Sequence, residues 1–206
     1  MVTLKTITPK PGTPTATVRD DKDKWKRGKS GVIDGVKVWI KGDSPTGGSG
    51  DYNRSPYHER AAYLINQMLC LKIVPPTAIR LIDGKVVSAQ KFVRGRRPDI
   101  ARPPLLELFD YIINNTDRHD GNWFVKPSGR VWAIDNALTF GTYIENFDVR
   151  GLKLPYRIRY QLMQAVDNPQ RFHRRLDSLI GEEAVNAVME RIQKVVKKIS
   201  RKRSGK

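Results

Sequence analysis

Four residues separate Asp117 and Asn122 in Asn115-Thr-Asp-Arg-His-Asp-Gly-Asn122, and Asp135 follows in Ala133-Ile-Asp-Asn136. An acid, an amide and a second acid in that order are what phosphoryl transfer uses. One carboxylate orients the attacking hydroxyl and accepts its proton, while an amide oxygen and a second carboxylate hold magnesium against the phosphates. The amide offers a neutral oxygen, so it adds no repulsion beside a triphosphate. Either motif alone is more often a helix end or a turn. Together, with a short apolar hairpin to fix their separation, they define a candidate metal-phosphate centre. His119 is placed to help proton transfer or to orient Asp117, although a lone His is more often a structural hydrogen-bonder.

A phosphate centre of this kind also needs a cation. Lys41 ends the alternating stretch Val36-Lys-Val-Trp-Ile-Lys41, where strand geometry turns it to one face. A lysine there can be fixed by a Glu on the following helix, and Glu59 stands in the first turns of that helix. The bland alternatives are a surface lysine and a Glu favoured by the helix N-terminus. Lys37 shares the face of Lys41 and is its rival. The adenine site is expected at Gln90-Lys-Phe-Val93, with Gln90, Phe92 and Val93 at the junction of two lobes, though Phe92 and Val93 could equally be core. Asp34-Gly35 and Gly47-Gly-Ser-Gly50 are candidates to cover phosphates with backbone N–H groups. No Gly-x-Gly-x-x-Gly loop is present.

Several elements must position these groups. Residues 1–20, rich in Thr, Pro and Lys, predict an irregular arm. Lys29 to Lys41 predicts a hairpin turning at Asp34-Gly35. A helix is expected over 56–71, with Ala61, Leu64, Ile65, Met68 and Leu69 at helical spacing, stopped by Val74-Pro-Pro76. Two strands, 78–82 and 85–93, follow with a turn at Asp83-Gly84. A basic connector, 94–104, leads to a helix through Leu105, Leu108, Phe109, Ile112 and Ile113. Trp123–Val125 and Val131–Ile134 form the apolar hairpin. Pro155, Pro169 and Gly181 then separate three helical segments. The expected fold is α+β: a minimal two-lobed, protein-kinase-like arrangement. Its N-lobe (21–93) is strand-rich with one helix. The hinge is 94–104, the C-lobe (105–193) is mostly helical, and a basic tail covers 194–206.

The formal charge of +17 predicts attraction to polyanions, and seven Lys/Arg fall between Lys194 and Lys206. The chain carries no zinc-finger spacing, aromatic RNA-binding signature or basic-region heptads, so nucleic acid is expected to bind only through non-specific charge. An acidic protein substrate or anionic lipid is the expected partner. Cys70 is the single cysteine, which excludes an internal disulfide, and it is expected to pack as a small hydrophobe. No stretch reaches the apolar length of a membrane span, and Met1 to Pro9 lacks the apolar core of a secretory signal. A cytoplasmic setting is expected, with the membrane surface or delivery into a host cell as alternatives.

Asn115 to Trp123 with Ala133-Ile-Asp-Asn136 resembles the type II phosphatidylinositol 4-kinases. Asp117-Arg-His119 is shared by the wider phosphoinositide 3/4-kinase group and by the Golgi casein kinase family of secreted-protein kinases. The latter is also similar at His58-Glu-Arg-Ala-Ala-Tyr-Leu64, Ile73-Val-Pro-Pro76, Ile134 to Gly141 and Tyr156-Arg-Ile-Arg-Tyr160. The likeness implies an atypical kinase using ATP and magnesium, with manganese as a substitute ion. It implies Lys41 as the phosphate-binding lysine, Glu59 as its partner, Asp117 as catalytic base, and Asn122 and Asp135 as metal ligands. Two departures stand out. Ala137 replaces the glycine of the family's Asp-Asn-Gly, and casein-kinase-type proteins usually lack the Asn at 122. The expected acceptor is a protein Ser/Thr hydroxyl. The alternatives are a phosphoinositide, or no acceptor in a kinase-like scaffold that binds nucleic acid or an acidic partner.

Overall fold

The computed structural model describes residues 28–42, 55–141 and 152–201. The expected N-terminal arm, the glycine-rich run Gly47–Gly50 and the end of the basic tail lie outside them. Strands β1 (Lys29–Ile33) and β2 (Val36–Gly42) form an antiparallel hairpin in which Ile33 faces Val36. Asp34 and Gly35 have φ of 50° and 73°, the pair of positive values that a two-residue type I′ turn needs. Strands β3 (Thr77–Ile82) and β4 (Lys85–Lys91) repeat the device at Asp83-Gly84, and the four strands order as β1-β2-β4-β3.

Helix α1 (Ser55–Met68) connects the hairpins. It stops short of the expected residue 71. The Asn66 carboxamide oxygen takes the N–H groups of Ile73 and Val74 at 2.8 and 3.1 Å, and Cys70 and Lys72 turn left-handed at φ 58° and 59°. That side-chain capture competes with the helix ladder and ends it. Strand β4 also ends early, at Lys91 rather than 93. The Phe92 N–H still reaches the Lys37 carbonyl at 2.9 Å, and the chain then leaves the sheet.

The second half contains α2 (Pro104–Ile113), the hairpin β5 (Trp123–Val125) and β6 (Val131–Ala133), then α3 (Tyr156–Asp167), α4 (Gln170–Ile180) and α5 (Glu182–Arg201). Asn114 closes α2 in the left-handed conformation (φ 49°), a role Asn fills because its short amide tolerates that region. Helix α5 runs through Lys194, Lys197 and Lys198, so the first residues of the basic tail are helical. The architecture is the expected α+β one, a strand-rich sheet followed by a mostly helical part.

Two apolar clusters hold it together. The sheet buries Ile33, Val38, Ile40, Ala78, Ile82, Val87 and Ala89. The larger cluster joins α2, β5, β6 and α3 to α5, and it includes Ala61, Ala62, Ile65 and Met68 of α1 and Leu69 just after it. Helix α1 therefore packs into the helical core, against α4, while also lying on β3 and β4. Ile65 and Leu69 are fully buried, worth about 1.5–3 kcal/mol each. The helix that carries Glu59 thus lies against the sheet that carries Lys41 and is anchored in the helical core as well.

Candidate active site

Strand alternation on β2 sends Val38 and Ile40 into the sheet core and leaves Lys37, Trp39 and Lys41 on the opposite face. The two lysines have different fates. Lys37 places its ammonium 4.5 Å from the centre of the Phe92 ring. Lys41 reaches across the cleft, with Nζ 3.2 Å from Glu59 Oε1 and 2.6 Å from Asp135 Oδ1. Burial works against the Lys41 charge, but the Glu59 and Asp135 carboxylates outweigh it and hold the ammonium above the ordinary lysine range. Glu59 is only 2 % exposed, and its second oxygen accepts a bond from Asn136 Nδ2 at 3.3 Å.

The loop after α2 is held by short local bonds. The Asn115 carboxamide oxygen accepts the Asp117 N–H at 2.9 Å, and the Thr116 N–H donates to the Leu138 carbonyl at 3.3 Å. Asn122 Nδ2 donates to the Asp117 carbonyl (2.8 Å) and to Asp117 Oδ2 (3.2 Å). That fixes the amide orientation and leaves Asn122 Oδ1 as an acceptor. His119 is exposed, and its Nδ1 accepts the Gly121 N–H at 3.0 Å. Among the described residues, Asn122 donates a bond to the Asp117 carboxylate.

The hairpin fixes the distance between the two motifs. Trp123 pairs with Ala133, and the Ile134 N–H donates to the Asn122 carbonyl at 3.0 Å, so Asn122 and Asp135 flank its open end. Asp135 adopts φ 53°. That region costs a non-glycine residue about 1–3 kcal/mol and persists only where the surroundings enforce it. Here His58 of α1 bonds the Ala137 carbonyl at 3.0 Å and meets the Phe140 ring edge-on, and Thr139 Oγ1 donates to the Asn136 carbonyl at 2.9 Å.

Arg118 joins these pieces. It donates through Nε to both Asp110 carboxylate oxygens at 3.0 and 3.1 Å, and its Nη2 lies 3.0 Å from Oδ1. It also donates to the Asn122 carbonyl at 2.7 Å, to Asn136 Oδ1 at 2.6 Å and to the Ile134 carbonyl. Burial pushes the Asp110 carboxyl up, and the Arg118 charge pulls against that rise. Arg118, Asp110 and Asn136 carry no sequence signal of this role. An Arg inside Asp-Arg-His reads as a surface cation until the carbonyls around it are seen.

A cavity of about 290 Å³ opens between the sheet and the hairpin. Trp39, Phe92, Val93, Phe124 and Ile134 line its apolar part, with Gln90 beside them. Lys41, Asn122 and Asp135 line the polar part. The Gln90 amide donates to Thr77 Oγ1 at 3.0 Å, which holds that side chain at the wall. The connector pairs with the hairpin next to Phe124: Arg96 and Val125 exchange backbone bonds at 3.1 and 3.0 Å. Gly95 permits this approach, since a Cβ there would lie 2.8 Å from Phe124 Cβ and from the Val125 carbonyl oxygen. The Asp34-Gly35 turn does not line the cavity, and Asp34 faces Arg80 at 3.6 Å.

The oxygen donors at the polar end suit a hard cation. Magnesium is typically held by one or two protein oxygens together with phosphates and water, and Asn122 Oδ1 with the Asp135 carboxylate matches that set. No cluster of three or more His, Cys, Asp or Glu that could cage a metal occurs among the described residues.

The model of the phosphatidylinositol 3- and 4-kinase family matches residues 106–199. Among solved structures, the Golgi casein kinase with Mn/ADP bound superposes with a TM-score of 0.53 at 13% identity, covering 79% of this chain and 66% of its own. The Helicobacter pylori proinflammatory kinase CtkA gives a TM-score of 0.48 at 13% identity, with coverage of 81% and 88%. No curated protein matches the chain. The fold is that of an atypical kinase, and the chain resembles the phosphatidylinositol 3- and 4-kinases through its helical part. It spans 66% of the Golgi casein kinase chain. Among the described residues no helix is long and apolar enough to cross a membrane.

Proposed function

We propose that the chain is an ATP- and magnesium-dependent phosphotransferase that places the γ-phosphoryl group on a Ser or Thr hydroxyl of a protein. The observation that carries this reading is that Lys41, Asn122 and Asp135 line the same cavity as Trp39, Phe92 and Phe124, with Lys41 Nζ 2.6 Å from Asp135 Oδ1. The base fits between Trp39, Phe92 and Phe124, beside Gln90 and Val93 at the lobe junction. Lys41, steadied by Glu59, meets the phosphates. Asp117 orients the acceptor hydroxyl and takes its proton, and the exposed His119 is available to pass that proton to solvent. Asn122 and Asp135 would hold magnesium, which when bound would supply positive charge against the phosphates. The Mn/ADP bound to the structurally similar Golgi casein kinase supports the same ligand pair here.

A lipid acceptor is the second reading. It is favoured by the family match over residues 106–199 and by the charge of +17, which suits an anionic headgroup surface. Labelled ATP offered to protein substrates and to phosphatidylinositol vesicles separates the two. Label in protein Ser/Thr supports the first, and label only in lipid replaces it with the second. Asp135→Ala should lose ATP turnover in either case, and retained turnover would remove the metal assignment.

A further inference from the structure

Asn136 is fully buried and stands between two charged groups from different elements. Its Oδ1 accepts from Arg118 Nη2 at 2.6 Å, and its Nδ2 donates to Glu59 Oε2 at 3.3 Å. Guanidinium only donates and an ionised carboxylate only accepts, so the residue between them must do one on each side. The Asn amide does both without adding charge. The two partners lead to two different groups of the site. Glu59 holds Lys41, on the phosphate side. Arg118 holds the carbonyls of Asn122 and Ile134, which frame the metal side. Lys41, Glu59, Asn136, Arg118 and Asp110 thus form one continuous chain of polar contacts beneath the cavity.

We infer that Asn136 is a positioning residue that sets the phosphate-binding lysine in register with the acceptor loop. Asn136 reaches no substrate itself and acts through Glu59 and Arg118. This role rests on the phosphotransferase reading above. It also accounts for why α1 packs into the helical core: the helix and the Asp117 loop share one reference point. A buried hydrogen bond to a charged group is strong because its loss leaves that charge without a partner.

The test is a double-mutant cycle on kcat/KM for ATP, with Glu59→Gln and Asn136→Leu, run beside thermal melts. Each single change is expected to lower kcat/KM roughly 10- to 100-fold, the range that a lost bond to a charged group converts to. The double variant is expected within about threefold of the worse single one, because both remove the same link. Asn136→Asp is the second variant. It keeps the acceptor for Arg118 and sets a carboxylate against Glu59, so it should melt closer to wild type than Asn136→Leu and still lose turnover. Losses that multiply, or Asn136→Asp turning over at the wild-type rate, overturn the positioning role alone. A wild-type chain with no ATP turnover overturns the phosphotransferase reading and this role with it. Asn136→Asp decides the matter if Asn136→Leu does not fold.

Discussion

The Lys41 ammonium sits 2.6 Å from the Asp135 carboxylate, so the strand β2 and the segment after β6 meet at a single ion pair across the cleft. Glu59 closes the contact from a third element at 3.2 Å. One cation therefore answers to two acids, one assigned to structure and one to metal binding. Lys41→Met should remove the phosphate contact and leave both acids facing each other. We expect at least a 100-fold fall in kcat/KM for ATP, consistent with the several kcal/mol that a preorganised charge supplies in a dry site. A steady-state comparison with wild type checks it.

The same contact fixes a pH window. Lys41 is held above the ordinary lysine value in the folded chain. A lysine raised on folding stabilises the fold fully below the unfolded value and loses that contribution as pH rises through the folded value. Lys41 should therefore contribute a constant amount from neutral pH to about 10, and the loss should begin only above that. Melting curves of the nucleotide-free chain between pH 7 and 11 should show an alkaline fall that is smaller in Lys41→Met.

Metal should matter for nucleotide binding and not for the fold. Only Asn122 and Asp135 are assigned as protein ligands, so a chelator should leave the melting temperature of the nucleotide-free chain unchanged. With magnesium present, ATP at about 100 times its Kd should stabilise the chain by about 2.7 kcal/mol. The same ATP with chelator should stabilise it much less, and manganese should restore the effect. Differential scanning fluorimetry gives all three comparisons.

Arg118 offers a stability prediction. Its side chain is fully buried and is paired with Asp110 at 3.0 Å. Removing one partner of a buried pair strands the other charge, at a typical cost of about 3–5 kcal/mol. Arg118→Ala should show that loss in urea unfolding, together with loss of turnover. Arg118→Lys should not rescue it, because a single ammonium cannot reproduce the fork that reaches Asp110, two carbonyls and Asn136.

Gly95→Val should act on the cavity wall. The added atoms would press on Phe124 and on the Val125 carbonyl, where a Cβ already comes within 2.8 Å. Overpacking of this kind costs about 1–3 kcal/mol. We expect weaker ATP binding by equilibrium fluorescence, with kcat less affected than KM, since the chemical groups stay in place.

Much of the site was legible in the sequence because it rests on periodicity. Alternation put Lys41 on the face away from Val38 and Ile40, helical spacing put Glu59 beside an apolar stripe, and the hairpin between Asn122 and Asp135 announced itself through two short apolar runs. Lys41 was preferred to Lys37, which shares its face, and the coordinates separate the two: Lys37 sits over Phe92, while Lys41 pairs with Glu59 and Asp135. Arg118, Asp110 and Asn136 were hidden for a related reason. Their roles depend on which carbonyls and acids surround them after folding, and no local pattern encodes that. Boundaries failed where side chains or neighbouring strands took over the backbone: Asn66 ended α1, and the bridge from Arg96 to Val125 drew the connector off β4.

In the proposed reaction Lys41, Asn122 and Asp135 hold the nucleotide, and Asp117 orients the hydroxyl that receives its terminal phosphate. Transfer of the terminal phosphate is tested most directly with ATP labelled at the γ-position, offered to wild type and to Asp117→Ala with protein, lipid and small-molecule acceptors in parallel. We predict magnesium-dependent label on protein Ser or Thr with wild type and a loss of at least about 100-fold in Asp117→Ala. Equal labelling by both chains would contradict the assignment of the site, and no transfer by wild type to any acceptor would contradict the claim of catalysis itself.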